Sequence, residues 1–355
     1  MSGRALLYGA SGYTGRLIAQ HLGRSIDLVL AGRDEARVRA VAEPLGLAWR
    51  AFGLTSPTTL AAALRDVDVV LHAAGPFAAT ALPMAEACLK TGTHYLDLSG
   101  EWPAFLALTE LDDAAKAAGI MVLPGIGLTV ATTDCLLARA VELWPDTVRL
   151  CLGISRPQII SRGSVATMTS MFAPDVPIRR GGRLVTVPAG SLVHAFDFGH
   201  GLRETVAVCW ADVVTAGITT GVGDVEVYSQ LHWAERAMFR AGGISMSMFG
   251  PEIMRELGGA MARTLPNDPN AEQRAGAHYS MVVEALDPWR RVRRLSMTTR
   301  DGYSASVLTA AEGLRRVLHG DAPAGFQTPS RAFGSDFAIV AGAASFCAAG
   351  ARTAA

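Results

Sequence analysis

A glycine-rich segment near the start of the chain constrains the fold more than any other feature. The apolar run 5–8 leads directly into Gly9, Gly12 and Gly15, and a helical pattern opens at the last of these. Glycines at this spacing allow a tight turn and a close approach of the backbone to a pyrophosphate, whose charge lies at the positive end of the helix. Strand, loop, helix and second strand follow within one βαβ unit, which predicts a Rossmann dinucleotide-binding domain rather than a glycine turn that serves packing alone.

The next part of the chain alternates short apolar runs with helical patterns. The predicted strands are 5–8, 27–31, 67–73, 95–98 and 120–123, and the predicted helices are 15–22, 35–45, 58–64, 81–90 and 105–118. This alternation is typical of βαβ units. Strands that are apolar along their whole length predict a parallel sheet covered on both faces.

The pattern changes after Gly125. Helices are predicted at 132–143, 304–318 and 336–349, strands at 148–155, 183–187 and 191–198, and a hairpin at 278–286 and 293–299 around the turn 287–290. Alternating runs joined by tight turns favour antiparallel pairing. The predicted fold class is therefore α/β: a Rossmann dinucleotide-binding domain, an inserted α/β substrate domain with a mostly antiparallel sheet, and a C-terminal helical return.

Composition narrows the classes of function. The chain has 32 basic and 32 acidic residues, so its formal net charge is zero. A nucleic acid or an acidic membrane surface needs a concentrated positive field, and we therefore expect a small-molecule substrate, no nucleic acid and no membrane partner. The apolar stretch 337–349 is shorter than the roughly 20 residues that span a bilayer. Met1 leads almost directly into the first strand, which predicts no secretory leader.

The cysteines and histidines show no spacing typical of a metal site. Five cysteines are scattered along the chain and are expected to be reduced core thiols of a cytoplasmic protein. We therefore predict that the protein holds no metal.

The end of the second predicted strand bears on which dinucleotide is bound. An acidic residue at this point binds the ribose hydroxyls of NAD, whereas an arginine accommodates the 2′-phosphate of NADP. Arg33 occupies the strand exit and Asp34 follows it. Arg33 can pair with phosphate in a bidentate manner, which favours NADP(H), while Ser11 and Thr14 offer hydroxyl groups. In the alternative interpretation Arg33 is a solvated turn residue and Asp34 is the ribose ligand.

Several longer motifs carry a family resemblance. They lie at 8–15, 30–33, 74–77 and 87–101, and others continue at 123–127, 133–136, 161–164 and 325–334. In this combination the sequence resembles the saccharopine dehydrogenase-like oxidoreductases, a family that includes the trans-acting enoyl reductases. The resemblance implies a Rossmann NADP-binding domain at 1–128, a substrate and oligomerisation domain at 129–303, and C-terminal helices at 304–355 that pack on the first domain.

The resemblance and the strand order together indicate which residues form the functional site. The predicted cofactor-binding residues are Gly9, Ser11, Gly12, Tyr13, Thr14, Gly15, Arg33, Gly75, Pro76, Phe77 and Gly125. Ligands of an open parallel sheet bind at the carboxyl ends of its strands, so Gly75, Pro76 and Phe77 are expected beside the ribose or nicotinamide. Asp97 lies in the next strand and Glu101 follows it; these two are the candidate catalytic residues, for substrate positioning or proton transfer. The alternatives are a simple turn at 75–77, and carboxylates that bond the backbone or cap a helix.

The expected reaction follows partly from catalytic side chains that the sequence lacks. The only lysines are Lys90 and Lys116, and no tyrosine has a lysine four residues later, so the tyrosine–lysine pair of short-chain dehydrogenases is absent. We expect an NADPH-dependent reductase of a small imine, iminium or conjugated enoyl compound, with the substrate between the domains. The alternative is a non-catalytic NADP(H)-binding sensor or scaffold. The apolar segment 338–349 and the methionine-rich run 244–248 suggest a homodimer, although each could instead be core.

Overall fold

The computed structural model describes residues 3–23, 25–156, 158–161, 175–231 and 268–347. The chain divides into two compact units. Unit 1 comprises residues 1–131 and 303–343, and unit 2 comprises residues 132–302 and 344–355.

The helices and strands of the described residues are numbered here in chain order. The helices are α1 Tyr13–Leu22, α2 Glu35–Leu45, α3 Pro57–Leu64, α4 Phe77–Thr91, α5 Trp102–Thr109, α6 Asp112–Ala118, α7 Leu128–Leu143, α8 Asp212–Thr220, α9 Ala271–Ala275, α10 Gly302–Leu318, α11 Pro329–Phe333 and α12 Phe337–Val340. The strands are β1 Arg4–Tyr8, β2 Asp27–Gly32, β3 Ala48–Ala51, β4 Val69–His72, β5 His94–Asp97, β6 Met121–Leu123, β7 Arg149–Ile154, β8 Asp175–Arg180, β9 Arg183–Pro188, β10 Val193–Asp197, β11 Leu202–Ala207, β12 Asp224–Ser229, β13 His278–Leu286, β14 Val292–Arg300, β15 Gly325–Phe326 and β16 Ala344–Phe346.

Unit 1 is built on a seven-stranded parallel sheet in the order β15-β6-β5-β4-β1-β2-β3. Its central strands are buried, as their uniformly apolar sequences predict; Leu6, Val70 and Leu96 are completely inaccessible. The order 3-2-1-4-5-6 is that of a Rossmann fold, so the predicted fold class is confirmed. The strand order reverses between β1 and β4, and ligands of such sheets bind at this reversal.

Unit 2 is built on a nine-stranded mixed sheet, whose main path is β10-β11-β12-β7-β13-β14-β16. Strands β7 and β12 are parallel, and the other pairings are antiparallel. The predicted long hairpin is present as β13 and β14, in register from His278 with Arg300 to Leu286 with Val292. The prediction of a mostly antiparallel sheet is confirmed.

The prediction of one helix over 336–349 is wrong. Helix α12 ends at Val340, and residues 344–346 form strand β16 instead. Gly342 has a φ of +71°, which ends the helical conformation. Beyond it, Thr298 and Thr299 of β14 pair with the chain, and the amide of Cys347 donates to the Ser296 carbonyl over 2.9 Å. A free sheet edge therefore overrides the local helical pattern of small apolar residues.

Three further predictions concern the oligomeric state, the cysteines and membrane-spanning helices. Residues 244–248 lie outside the described residues, and a homodimer stays a prediction. Of the cysteines, Cys88, Cys135, Cys151 and Cys209 are buried, and none of the five, all of which are described, forms a disulfide. Within the described ranges, no helix has both the length and the apolar character needed to cross a bilayer.

Candidate functional site

The glycine loop after β1 is packed directly against the loop after β4. Gly9 has a φ of +90°, and its amide donates to the Ala31 carbonyl over 2.8 Å. A Cβ atom on Gly9 would lie 2.8 Å from the carbonyl carbon of Ala73, and one on Gly15 would lie 2.3 Å from the Gly9 oxygen. Both positions therefore require glycine, because any side chain would collide with backbone atoms.

The loop opens into helix α1 without a side-chain cap. The helix begins at Tyr13, two residues before the predicted start, and Gly12 is its N-cap residue. Gly12 is exposed, whereas Ser11 and Thr14 are half-buried. Arg16 holds the turn by donating to the Ser11 carbonyl over 3.1 Å. The positive end of α1 thus faces outward at the reversal of strand order, which is the arrangement that binds a pyrophosphate.

Arg33 and Asp34 separate into two different roles. The Asp34 carboxylate accepts a hydrogen bond from the Arg37 amide at 3.1 Å and caps helix α2. The exposed Arg33 guanidinium forms no hydrogen bond or ion pair in the part of the chain that the structure describes. Burial raises the pKa of Tyr8 at the end of β1, and the positive charge of nearby Arg33 opposes that rise. The positive charge of Arg33 therefore lies beside the glycine loop without an ion-pair partner among the described residues, while the Asp34 carboxylate caps helix α2.

The loop after β4 is held by Glu101. This loop contains the cis peptide Gly75–Pro76 and leads into helix α4 at Phe77. The Glu101 carboxylate accepts hydrogen bonds from the amides of Phe77 (3.0 Å) and Ala78 (2.8 Å), and the residue is only 4% exposed. Glu101 is thus the anion that satisfies the positive end of α4.

Asp97 joins two neighbouring loops at the same edge of the sheet. One carboxylate oxygen accepts hydrogen bonds from the amides of Ser99 and Gly125, each at 2.8 Å. The other oxygen accepts the Tyr95 hydroxyl at 2.7 Å. Burial raises the pKa of Asp97 to about 6, although the three hydrogen bonds oppose the shift. Asp97 therefore fixes Gly125, which has a φ of +75°, relative to the end of β5.

The fold brings the predicted residues of unit 1 to one edge, where β1, β2, β4, β5 and β6 end. The structure does not leave the two candidate catalytic carboxylates free, since each oxygen of Asp97 and Glu101 accepts a hydrogen bond from within the chain. This geometry favours positioning over proton transfer. Glu101 does cap a helix, as the alternative interpretation held, but the helix is α4, which lies earlier in the chain.

His72 lies at the same edge and was not singled out from the sequence. Its side chain is completely buried, and Nε2 lies 2.9 Å from the Thr80 hydroxyl. Nδ1 has no hydrogen-bond partner among the described residues, and burial lowers the pKa of His72 to about 3, so the ring is neutral. The ring packs edge-on against Phe77, with centroids 5.4 Å apart. The available signal was a histidine at the end of an otherwise apolar strand.

Glu101→Ala is expected to destabilise the protein and to loosen the 75–78 loop. The substitution leaves two helix-end amides without an acceptor, that of buried Phe77 and that of exposed Ala78, and we expect a loss of about 2–4 kcal/mol in the free energy of unfolding. Denaturant unfolding followed by circular dichroism measures this loss. Glu110→Ala, at an exposed position after α5, is the control and should change stability by less than about 0.5 kcal/mol. Equal effects of the two substitutions would contradict the capping role.

Comparison with known proteins shows which proteins this chain resembles. Residues 5–123 match the saccharopine dehydrogenase NADP-binding domain family. A trans-acting enoyl reductase of Mycobacterium tuberculosis is 33% identical over 203 aligned residues, which cover 52% of this chain and 48% of that protein. Another M. tuberculosis protein, to which the same name is given provisionally, is 26% identical over 409 aligned residues and covers 93% of each chain.

Solved structures show the same fold over almost the whole chain. Saccharopine dehydrogenase (L-Glu forming) from Saccharomyces cerevisiae aligns with a TM-score of 0.65, at 14% sequence identity, over 98% of this chain and 100% of that one. The predicted family resemblance is confirmed. The protein is an NADP-dependent oxidoreductase, and residues 5–123 are its NADP-binding domain.

Proposed function

We propose that this saccharopine dehydrogenase-like oxidoreductase is an NADPH-dependent reductase of a small compound with an activated double bond. The relatives named as trans-acting enoyl reductases favour a conjugated C=C bond over a C=N bond. Two neighbouring features carry the proposal: helix α1 begins after Gly12 without a side-chain cap, and the Arg33 guanidinium has no ion-pair partner among the described residues.

The residues at the sheet edge fit NADP(H) for separate reasons. Gly9 and Gly15 keep the loop free of side chains, so the backbone at Gly12 can approach a pyrophosphate. Arg33 would bind the 2′-phosphate, since it is exposed and has no acidic partner in the described ranges. Ser11, Tyr13 and Thr14 would line the loop.

Other residues would border the nicotinamide. Gly75, Pro76 and Phe77 follow β4, next to the glycine loop, and Gly125 follows β6. Glu101 would act by holding 75–78 in place, and Asp97 by holding Gly125. NADPH supplies a hydride when bound, and an electrophilic carbon accepts it.

The hydrogen bonds that Asp97 and Glu101 accept favour a substrate whose double bond is already activated. Reduction of an unactivated carbonyl needs a positioned proton donor, and Asp97 and Glu101 are both engaged within the chain. Neutral His72 is completely buried. In a conjugated enoyl compound, addition of hydride at the β-carbon leaves an enolate, which water can protonate at the α-carbon.

The experiment follows NADPH absorbance with a panel of α,β-unsaturated thioesters, enones and cyclic imines. We expect repeated turnover with at least one enoyl compound, and transfer of deuterium from C4-deuterated NADPH to the β-carbon of the product. Turnover of imines alone would move the assignment to C=N reduction. NADPH binding without turnover of any compound would favour the non-catalytic sensor or scaffold.

A further inference from the structure

Unit 2 contains a cavity at one edge of its sheet, formed where several strands end. Strands β7 and β12 are parallel, so Ser155 and Gln230, which follow them, emerge at the same edge. Strand β13 is antiparallel to β7 and begins there with His278. The edge is closed by the end of β10 and the start of β11, where Arg203 pairs with Phe196.

The cavity has a volume of about 610 Å³, which is within the usual range for small-molecule sites. Its basic residues are Arg156, Arg203, His200 and His278, and no carboxylate is among the described residues that line it. The nearly buried ring of Phe198 adds an apolar wall. A cavity with this lining concentrates positive potential and excludes cationic ligands.

The backbone around the cavity is fixed by its own polar side chains. Ser280 donates its amide to the Ser155 hydroxyl at 2.8 Å, and the Ser155 amide donates to the Ser280 carbonyl at 2.9 Å. Gln230 accepts the Arg156 amide at 3.3 Å through its side-chain oxygen. Gln158 accepts the His278 amide at 3.2 Å in the same way. Both glutamine oxygens are thereby used, which leaves their NH₂ groups as donors.

Three of these four basic side chains have no partner among the described residues. The side chains of Arg203, His200 and His278 form no hydrogen bond or ion pair in the part of the chain that is described. Elsewhere in unit 2, buried charge is paired: Glu226, only 1% exposed on its side chain, contacts both Arg149 and Arg180. Arg203, His200 and His278 are instead exposed, so their donors can bind a ligand from solvent.

We propose that this cavity binds an oxyanion carried on a small organic body, either a carboxylate or a phosphate monoester. Arginine matches both groups with two parallel N–H donors, the imidazoles and the glutamine NH₂ groups add further donors, and Phe198 contacts the organic part. The volume exceeds what an inorganic ion alone needs. Binding here does not depend on the reduction proposed above.

Calorimetric titration of the full chain tests the proposal, with phenyl phosphate and benzoate as anionic probes and benzyl alcohol as the neutral one. Saturating NADP⁺ keeps the probes out of the cofactor site. We expect one or both anions to bind and benzyl alcohol not to bind. A preference for phenyl phosphate would indicate a phosphate ester as the ligand, and a preference for benzoate a carboxylate.

Arg203→Gln is expected to weaken the preferred anion by about tenfold or more, since charge-assisted hydrogen bonds are lost. His200→Gln changes an exposed side chain of the same cavity and provides a second variant if Arg203→Gln fails to fold. Arg183→Gln, at an exposed position of β9 outside the cavity, should leave the affinity unchanged. Failure of both anions to bind the wild type, or equal binding by the cavity variants and Arg183→Gln, would overturn the proposal.

Discussion

Arg33→Gln should weaken NADPH binding by about ten- to hundredfold and leave NADH binding within about twofold. Hydrogen bonds to charged groups contribute about 1.5–3 kcal/mol, and each 1.4 kcal/mol corresponds to about a tenfold change in affinity. Because Arg33 has no ion-pair partner in the described ranges, its substitution leaves no buried group unpaired. Direct titration of both dinucleotides, followed by cofactor fluorescence, measures the ratio.

Two control variants separate the role of Arg33 from effects on helix α2. Arg37→Gln changes an exposed arginine on the first turn of α2 and should leave both affinities unchanged. Asp34→Ala removes the cap of α2, which costs about 1 kcal/mol of stability, but the NADPH-to-NADH ratio should stay the same. A selective loss of NADH binding in Asp34→Ala would instead support the alternative in which Asp34 binds the ribose.

The parts of unit 1 that were predictable from the sequence are those encoded by local spacing. Gly9, Gly12 and Gly15 mark a turn whose requirements are met within a few residues, so the strand, the loop and the start of a helix could be predicted together. The start of α1 was still placed two residues late, since Tyr13 and Thr14 carry no strong helix-start signal. Helix ends are poorly encoded by periodicity alone.

The roles of the carboxylates were not predictable, because their partners lie far away in the sequence. Glu101 caps a helix that begins 24 residues earlier, and Asp97 accepts the amide of a glycine 28 residues later. A sequence shows that a buried carboxylate needs hydrogen-bond donors, but only the fold shows which amides provide them. The same reason explains β16, since its partner Thr298 is supplied by a strand more than 40 residues earlier.

Gly15→Ala should reduce both the stability of the protein and its affinity for NADPH. Alanine is the better helix former by about 1 kcal/mol, so helix propensity alone predicts a gain in stability. The added Cβ would, however, lie 2.3 Å from the Gly9 oxygen, and α1 must move away from the backbone of Gly9 and Ala10 to relieve the overlap. Overpacking of this kind costs about 1–3 kcal/mol. We also expect NADPH to bind at least about tenfold more weakly, since displacement of α1 moves its amides away from the pyrophosphate.

Gly12→Ala separates the effect of a side chain on loop packing from its effect on NADPH binding in the same loop. Gly12 is exposed, its φ of −72° and ψ of 166° are accessible to alanine, and its nearest neighbour to a Cβ is the Gly9 oxygen at 3.2 Å. The melting temperature should therefore fall less than in Gly15→Ala, while NADPH binding weakens because a methyl group stands at the open end of α1. Thermal unfolding without cofactor and NADPH titration measure the two effects separately. If Gly12→Ala bound NADPH as tightly as the wild type, the cofactor would not approach the backbone at this turn, and the assignment of the glycine loop to the pyrophosphate would be wrong.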